Sequence, residues 1–396
     1  MLRVNDIKIS GIGGINEISL SFNDRFNIIC GPNGVGKTTI LECIPHTFSQ
    51  SYNNIITRNA RSEKGHWELK GIAKDGEMIH HSVYKSYFHP YDNLYDEHKN
   101  FVPNYASEII VFKTNRNFAH TSIQAVQRDL KDQTDSDAAA NGVTYGNSKH
   151  WFINRFMFSA HNGQLSKVQE KNLETAKWLF GALDPNVNYH RVKIETFDVL
   201  LKTSDGSEIY FEYLSSGYKS VIYLLLGLMK EIEYRFTDPQ ICIQEFDGII
   251  IIDELDLHLH PQWQAKFIFM LKELLPKAQF ITSTHSPHMI QVANPNEIIP
   301  LGFSVDGRVE LRKVPSGAFG FQGWSIEEIL VDVMGMEKTN SQTYLDALKN
   351  FELALDKECH SEATVAYEIL DQMLHPNNHL RKLLKLQLSS LGGYHD

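Results

Sequence analysis

The stretch GPNGVGKT, Gly31–Thr38, decides how the chain is read. It fits the pattern G-x4-G-K-[ST], follows the apolar run FNIIC (Phe26–Cys30) and opens KTTILECI, which reads as a helix that Pro45 should stop or bend. A glycine-rich loop between a buried strand and a helix start cradles phosphate for a physical reason. Gly31, Gly34 and Gly36 let backbone N–H groups turn inward, and the helix N-terminus adds partial positive charge. Lys37 then reaches the β- and γ-phosphates, and the Thr38 hydroxyl is placed to ligate Mg2+. Pro32, Asn33, Val35 and Thr39 complete the expected cradle, with ATP and Mg2+ as its cofactors.

Three further stretches carry chemistry that suits such a loop. GIIIIDELDLHLHP (Gly248–Pro261) has four consecutive isoleucines, the signature of a strand buried on both faces as in a parallel sheet. Asp253 stands at its carboxyl end, where a metal or its water would sit, and Glu254 is the natural general base for attack on a γ-phosphate. ITSTHSP (Ile281–Pro287) is a second strand end, with His285 able to bond the γ-phosphate or the attacking water. A lone histidine is more often structural; beside the other motifs the functional role is favoured. In YLSSGYKSV (Tyr213–Val221), Ser215, Ser216 and Gly217 open an apolar helix of about residues 218–235. Its N–H groups and hydroxyls offer donors to an anion. The bland alternative is a well-capped helix start.

In this order the four pieces resemble the ABC-type ATPases: phosphate loop, LSGGxKS-like signature, strand ending in Asp-Glu, switch histidine. LSSGYKS departs at Ser216, where the family usually has glycine. The trailing Lys219-Ser220 looks more like the DNA-repair and SMC/RecF branch than like membrane transporters. DELDLHLHP is similar to the version in OLD-family and other AAA-like ABC ATPases, many of them in anti-phage defence. GWSIEEILVDVMGM and the helical tail after it resemble the ATPases of Septu systems, the PtuA family, including those encoded beside retrons. The resemblance covers about residues 1–48 and 205–350 well, and 50–200 in general layout only.

What the resemblance implies is specific. The fold is α/β, a P-loop NTPase of ABC-ATPase type with a mixed β-sheet core, an inserted helical lobe and a C-terminal helical extension. Residues 1–60 and 200–320 would form the core, 61–199 the inserted lobe and 321–396 the helical region. The signature acts in trans, so Ser215 of one chain would face the γ-phosphate held by Lys37 of another. The implied function is a slow, regulated ATPase that controls a separate HNH-type nuclease through head-to-head assembly. Its partners would be copies of itself, at least a dimer, that nuclease, and in retron versions a reverse transcriptase with its small DNA and RNA. The alternative is a RecF- or SMC-like repair ATPase acting directly on DNA. The absence of sustained heptads argues against coiled-coil arms.

Composition agrees and narrows the classes. The chain has 396 residues, 42% of them apolar and 22% charged, which suits a folded protein of two or three lobes. A net charge of −10 does not suit a chain that coats nucleic acid by itself. No apolar run approaches the ~20 residues of a membrane span and MLRVNDIKIS lacks a signal-peptide core, so the expected location is cytoplasmic, away from membranes. Cys30, Cys43, Cys242 and Cys359 form no CxxC pair, which argues against zinc or disulfide frameworks.

The remaining features carry weaker readings. Lys131–Lys149 is polar and reads as an exposed loop; Val192–Leu214 reads as a hairpin turning at Asp205-Gly206; Trp324–Leu391 reads as helical throughout. His258 and His260 form H-x-H without further ligands at metal spacing. HPNNH (His375–His379) lacks the strand-and-metal setting of an HNH nuclease, and HLRKLLK (His379–Lys385) reads as a solvated or assembly face. Lys113, Arg116, Gln124 and Gln127 are candidates for the family's glutamine-loop position, and Arg25 or Lys8 for contact with adenine or ribose.

Overall fold

The computed structural model describes residues 2–49, 56–73, 75–86, 88–89, 97–99 (backbone only), 105–115, 123, 125–126, 129, 133–144 and 147–391. They fall into two compact units, Met1–Gly335 and Met336–Asp396.

The first unit begins β1 (Arg3–Ile12), β2 (Ile15–Ser21), β3 (Phe26–Cys30), α1 (Lys37–Phe48), β4 (Gly65–Ile72), β5 (Met78–Lys85), β6 (Glu97–Lys99) and β7 (Ile109–Phe112). Next come α2 (Asp135–Asn141), α3 (Ser148–Ser159), α4 (Lys167–Ala182), β8 (Val187–Lys193), β9 (Asp198–Thr203), β10 (Glu208–Tyr210) and α5 (Ser216–Arg235). It closes with β11 (Ile249–Ile252), α6 (Pro261–Leu274), β12 (Gln279–Ser283), α7 (Pro287–Val292), β13 (Ile298–Phe303), β14 (Val309–Leu311) and the short α8 (Ile326–Glu328).

The central sheet has six strands in the order β14-β13-β3-β12-β11-β7. β13, β3, β12, β11 and β7 run parallel, and β14 pairs antiparallel with β13. This is the mixed-sheet α/β P-loop fold. A five-stranded antiparallel sheet, β2-β1-β4-β5-β6, and a three-stranded one, β10-β9-β8, flank it. Segment 61–199 thus gives β4 and β5 to one large sheet and β7 to the other.

Alternation along the central strands divides their side chains between two cores, as a period of two requires. Ile250, Ile252, Ile110, Phe112, Ile28 and Cys30 join the core formed with α3, α4, α5 and α6. Ile249, Ile251, Ile109, Val111 and Ile29 join the one beneath α1 and the antiparallel sheet. The registers Ile252↔Phe112, Ile252↔Thr282 and Ser283↔Ile29 bring the carboxyl ends of four strands side by side. That edge is where ligands bind in open α/β sheets.

Several expectations need correction. Asp135–Asn141 is helix rather than exposed loop, capped by Thr134 and with Ala138, Ala139 and Ala140 buried against α1 and β7. A polar stretch with three small residues can present a close-packing face even without large apolar groups. Pro45 does not stop α1, which runs on to Phe48 with Ile44 and Phe48 buried. The proline removes one backbone bond only three residues from the end, and burial of that last turn offsets it. The turn at Asp205-Gly206 is present, with Gly206 at φ 88°, but it joins β9 to β10, and Val192–Lys193 ends β8 instead.

The second unit, taken by itself, is three helices: α9 (Gln342–Asp356), α10 (His360–Met373) and α11 (His379–Leu391). Phe351, Ala354, Ala363, Leu370 and Leu384 form its core. The region from Trp324 is therefore not continuous helix. HPNNH is the turn between α10 and α11, where His375 Nδ1 accepts from the Asn377 amide and Asn378 Oδ1 from the Leu380 amide.

Candidate functional site

The loop Gly31–Gly36 joins β3 to α1, and Gly36 caps the helix in the left-handed conformation at φ 98°. A Cβ at Gly36 would lie 2.9 Å from the Ile15 side chain, so both conformation and space demand glycine there. Lys37 is buried, and its ammonium donates to the carbonyls of Gly31 and Pro32, each at 2.9 Å. Burial pulls its pKa below that of an ordinary lysine, against the opposing pull of Cys30, Asp253, Glu254 and Asp256. A buried ammonium resting on two carbonyls favours an anion beside it.

The two halves of the site meet directly. Thr38 Oγ1 donates to Asp253 Oδ2 at 2.9 Å. The other oxygen, Asp253 Oδ1, accepts from Ser283 Oγ at 2.5 Å, and that same Oγ accepts from the Glu254 amide at 2.7 Å. Glu254 has a left-handed backbone, φ 50°, which turns the chain sharply as it leaves β11. Asp256 follows with Oδ1 accepting from Thr284 Oγ1 at 2.6 Å and from the His285 amide at 3.0 Å. Lys37, Thr38, Asp253, Glu254 and His285 therefore share one edge of the sheet.

His285 is half-buried. Burial and then Lys37 lower its pKa, partly opposed by Asp256, Glu254 and Asp253. The shift favours the neutral ring, which can donate from one nitrogen and accept at the other.

The signature stretch has an exposed tip on a buried base. Ser215 caps α5 by accepting from the Tyr218 amide at 3.3 Å, and Ser215 and Ser216 are both exposed. Among the described residues neither hydroxyl bonds a phosphate-loop group. Gly217 is buried, and a Cβ there would lie 2.3 Å from the His258 carbonyl oxygen. The requirement for glycine at 217 is thus set within the chain, whereas Ser216, the departure from the family pattern, is exposed. The Tyr218 hydroxyl donates to the Phe180 carbonyl at the end of α4.

Other candidates fall elsewhere. The His260 ring caps α6 by accepting from the Gln262 amide, and no cluster of three or more His, Cys, Asp or Glu able to hold a metal is found among the described residues. Lys113 follows β7 and grips both carboxylate oxygens of Glu42, at 2.8 and 2.9 Å. Arg116, Gln124 and Gln127 lie outside the described residues. Arg25 precedes β3, at the end of the strand away from the phosphate loop, and Lys8 pairs with Glu17 on β2.

Sequence reasoning passed over Ser283, Thr284 and Asp256. A signal existed, since TST at the end of a fully apolar strand is a run of hydroxyls that burial must satisfy. Thr282, Ser283 and Thr284 are fully buried, and Asp256 is partly buried.

A family profile described as AAA ATPase domain matches residues 74–290. The Septu protein PtuA of Bacillus thuringiensis is 48% identical over 395 residues, covering 99% of each chain. The retron Vc95 probable ATPase of Vibrio cholerae serotype O1 biovar El Tor is 35% identical over 29% of this chain and 22% of its own length. Among solved structures, an SMC head bound to the C-winged helix domain of ScpA matches with TM-score 0.48 and 14% identity, over 78% of this chain and 97% of that one. Among the described residues, no helix is long and apolar enough to cross a membrane.

Proposed function

The chain is an ATPase that belongs to the PtuA family of Septu proteins and to the AAA ATPase domain family, and on that premise we propose that it is the nucleotide-driven subunit of a cytoplasmic anti-phage system. The observation that carries the reading is the Thr38–Asp253 hydrogen bond, which joins the phosphate loop to the acidic strand end. Gly31–Thr39 cradle the phosphates, with Lys37 on the β- and γ-phosphates of ATP. Glu254 takes the proton of the attacking water, and neutral His285 orients that water or the γ-phosphate. The oxygen donors of Thr38 and Asp253 fit a hard cation that keeps water and phosphate ligands, and Mg2+ held there would offset phosphate charge.

Ser215, Ser216 and Gly217 complete the site of a neighbouring chain. Their exposure on a rigid, capped helix start supports this, because a tip so placed is free to meet an anion outside its own unit. Two copies would close head to head around ATP, and this assembly would control a separate HNH-type nuclease. A reverse transcriptase with its small DNA and RNA would join in retron-associated versions. The proposed division is a core of 1–60 and 200–320, an insert of 61–199 that lends β7 to the central sheet, and a helical region of 321–396.

Native co-purification tests the assembly. The expected result is co-elution of an HNH protein, identified by mass spectrometry. Recovery of the chain alone with directly bound, salt-sensitive DNA would instead favour the repair reading.

A further inference from the structure

Lys149 occupies a position that helix physics disfavours. It is the second residue of α3, where the macrodipole repels cations, and its side chain is only 3% exposed. Burying an ammonium is costly unless it is paired and hydrogen-bonded. Two carboxylates meet the need: Asp198 Oδ1 at the start of β9, at 3.1 Å, and Glu212 Oε1 at 2.5 Å. Glu212 lies in the short turn Phe211–Tyr213 that leads into the signature stretch.

A second lysine grips the same residue from the other side. Lys219, in the first turns of α5, donates to the Glu212 carbonyl at 3.0 Å. Glu212 is thus clamped by its side chain to α3 and by its backbone to α5. Beyond the clamp the chain emerges at once: Tyr213 is 79% exposed and Ser215 and Ser216 are exposed. A break from a local rule, compensated this specifically, is expected where function fixes geometry.

We propose that Lys149 is a positioning residue for the signature tip: through Glu212 it holds Ser215 at the angle needed to reach the nucleotide of the neighbouring chain. This rests on the trans reading above. Lys149 then serves a site to which its own phosphate loop does not belong. A structural lysine would support both sites or neither.

Co-expression of two differently tagged chains, with isolation of the mixed assemblies, separates these cases. Lys149→Met alone is expected to lose about 10- to 100-fold in hydrolysis, the scale of a misplaced reacting group, while a fluorescent ATP analogue binds within about twofold of wild type. Lys149→Arg, which can still bridge two carboxylates, recovers most of the rate. Lys149→Met mixed with Lys37→Ala rebuilds one composite site and recovers up to about half the wild-type rate. If Lys149→Met does not fold, Glu212→Gln, which keeps the carbonyl on Lys219, takes its place with the same expected outcomes.

Wild-type hydrolysis by Lys149→Met overturns the proposal. So does failure of Lys149→Met to complement Lys37→Ala when Ser215→Arg succeeds, which leaves the trans reading intact. Failure of both to complement brings down the trans reading itself.

Discussion

Thr38 and Asp253, 215 positions apart in the chain, are joined by a hydrogen bond of 2.9 Å. Thr38 lies in the first turn of α1 and Asp253 directly follows β11, so the bond fixes the phosphate loop against the acidic strand end before any ligand arrives. The site is preorganised, and each of its parts can be removed separately.

Glu254→Gln is expected to lower ATP hydrolysis by about 10²- to 10⁴-fold, the range for loss of a general base. Nucleotide binding should persist, because the phosphate loop, Thr38 and Asp253 are untouched. Steady-state phosphate release and equilibrium binding of a fluorescent analogue measure the two. An unchanged rate would remove Glu254 from the role.

Ser215→Arg places a bulky cation on the exposed tip of α5. Folding and nucleotide binding should survive and hydrolysis should fail. Mixed with Lys37→Ala, it should rebuild at most one working site per dimer. If Ser215→Arg alone hydrolyses ATP at the normal rate, Ser215 is a helix cap and nothing more.

Gly217→Ala and Ser216→Gly should differ sharply despite being neighbours. The alanine Cβ would meet the His258 carbonyl at 2.3 Å, so the tip or the loop after Glu254 must move. A fall in melting temperature and a loss of hydrolysis are expected together. Ser216→Gly restores the family pattern on an exposed position and should change melting little. Thermal unfolding of the two variants side by side is the check.

His285 gives a signed pH dependence. Its folded pKa is depressed by burial, below the ordinary value of about 6.5. Near pH 8 the ring is neutral in both folded and unfolded states, and it contributes no difference. As pH falls through about 6.5 the unfolded chain takes up the proton first, so the His285 contribution to stability falls with falling pH until the folded value is passed. His285→Gln should therefore lose less stability than wild type between pH 7.5 and pH 5.5, roughly a window around the ordinary value. Urea unfolding at the two pH values measures it. An identical loss in both proteins would mean that the ring is not shielded.

The placement of the phosphate loop, the acidic strand end and His285 is legible because each motif is local: a few consecutive residues set it at a strand end. Four adjacent isoleucines likewise announced a strand with two buried faces. What stayed hidden depends on neighbours distant in sequence. Asp256 looked like one more acid in DELDLHLHP, yet it secures the backbone of His285 and the hydroxyl of Thr284 from another strand. The α2 helix was missed because its buried face is three alanines, too small to register as an apolar period. In the sequence Lys149 ends a polar stretch, and only the fold brings Asp198 and Glu212 around it.

The Ser283 hydroxyl, shared between the Asp253 carboxylate and the Glu254 amide, ties both residues to the register of β12 against β11. Were β12 to settle one residue out of step with β11, that single oxygen would leave both partners together. The residue proposed to bind metal and the residue proposed to activate water would then fail in the same copy.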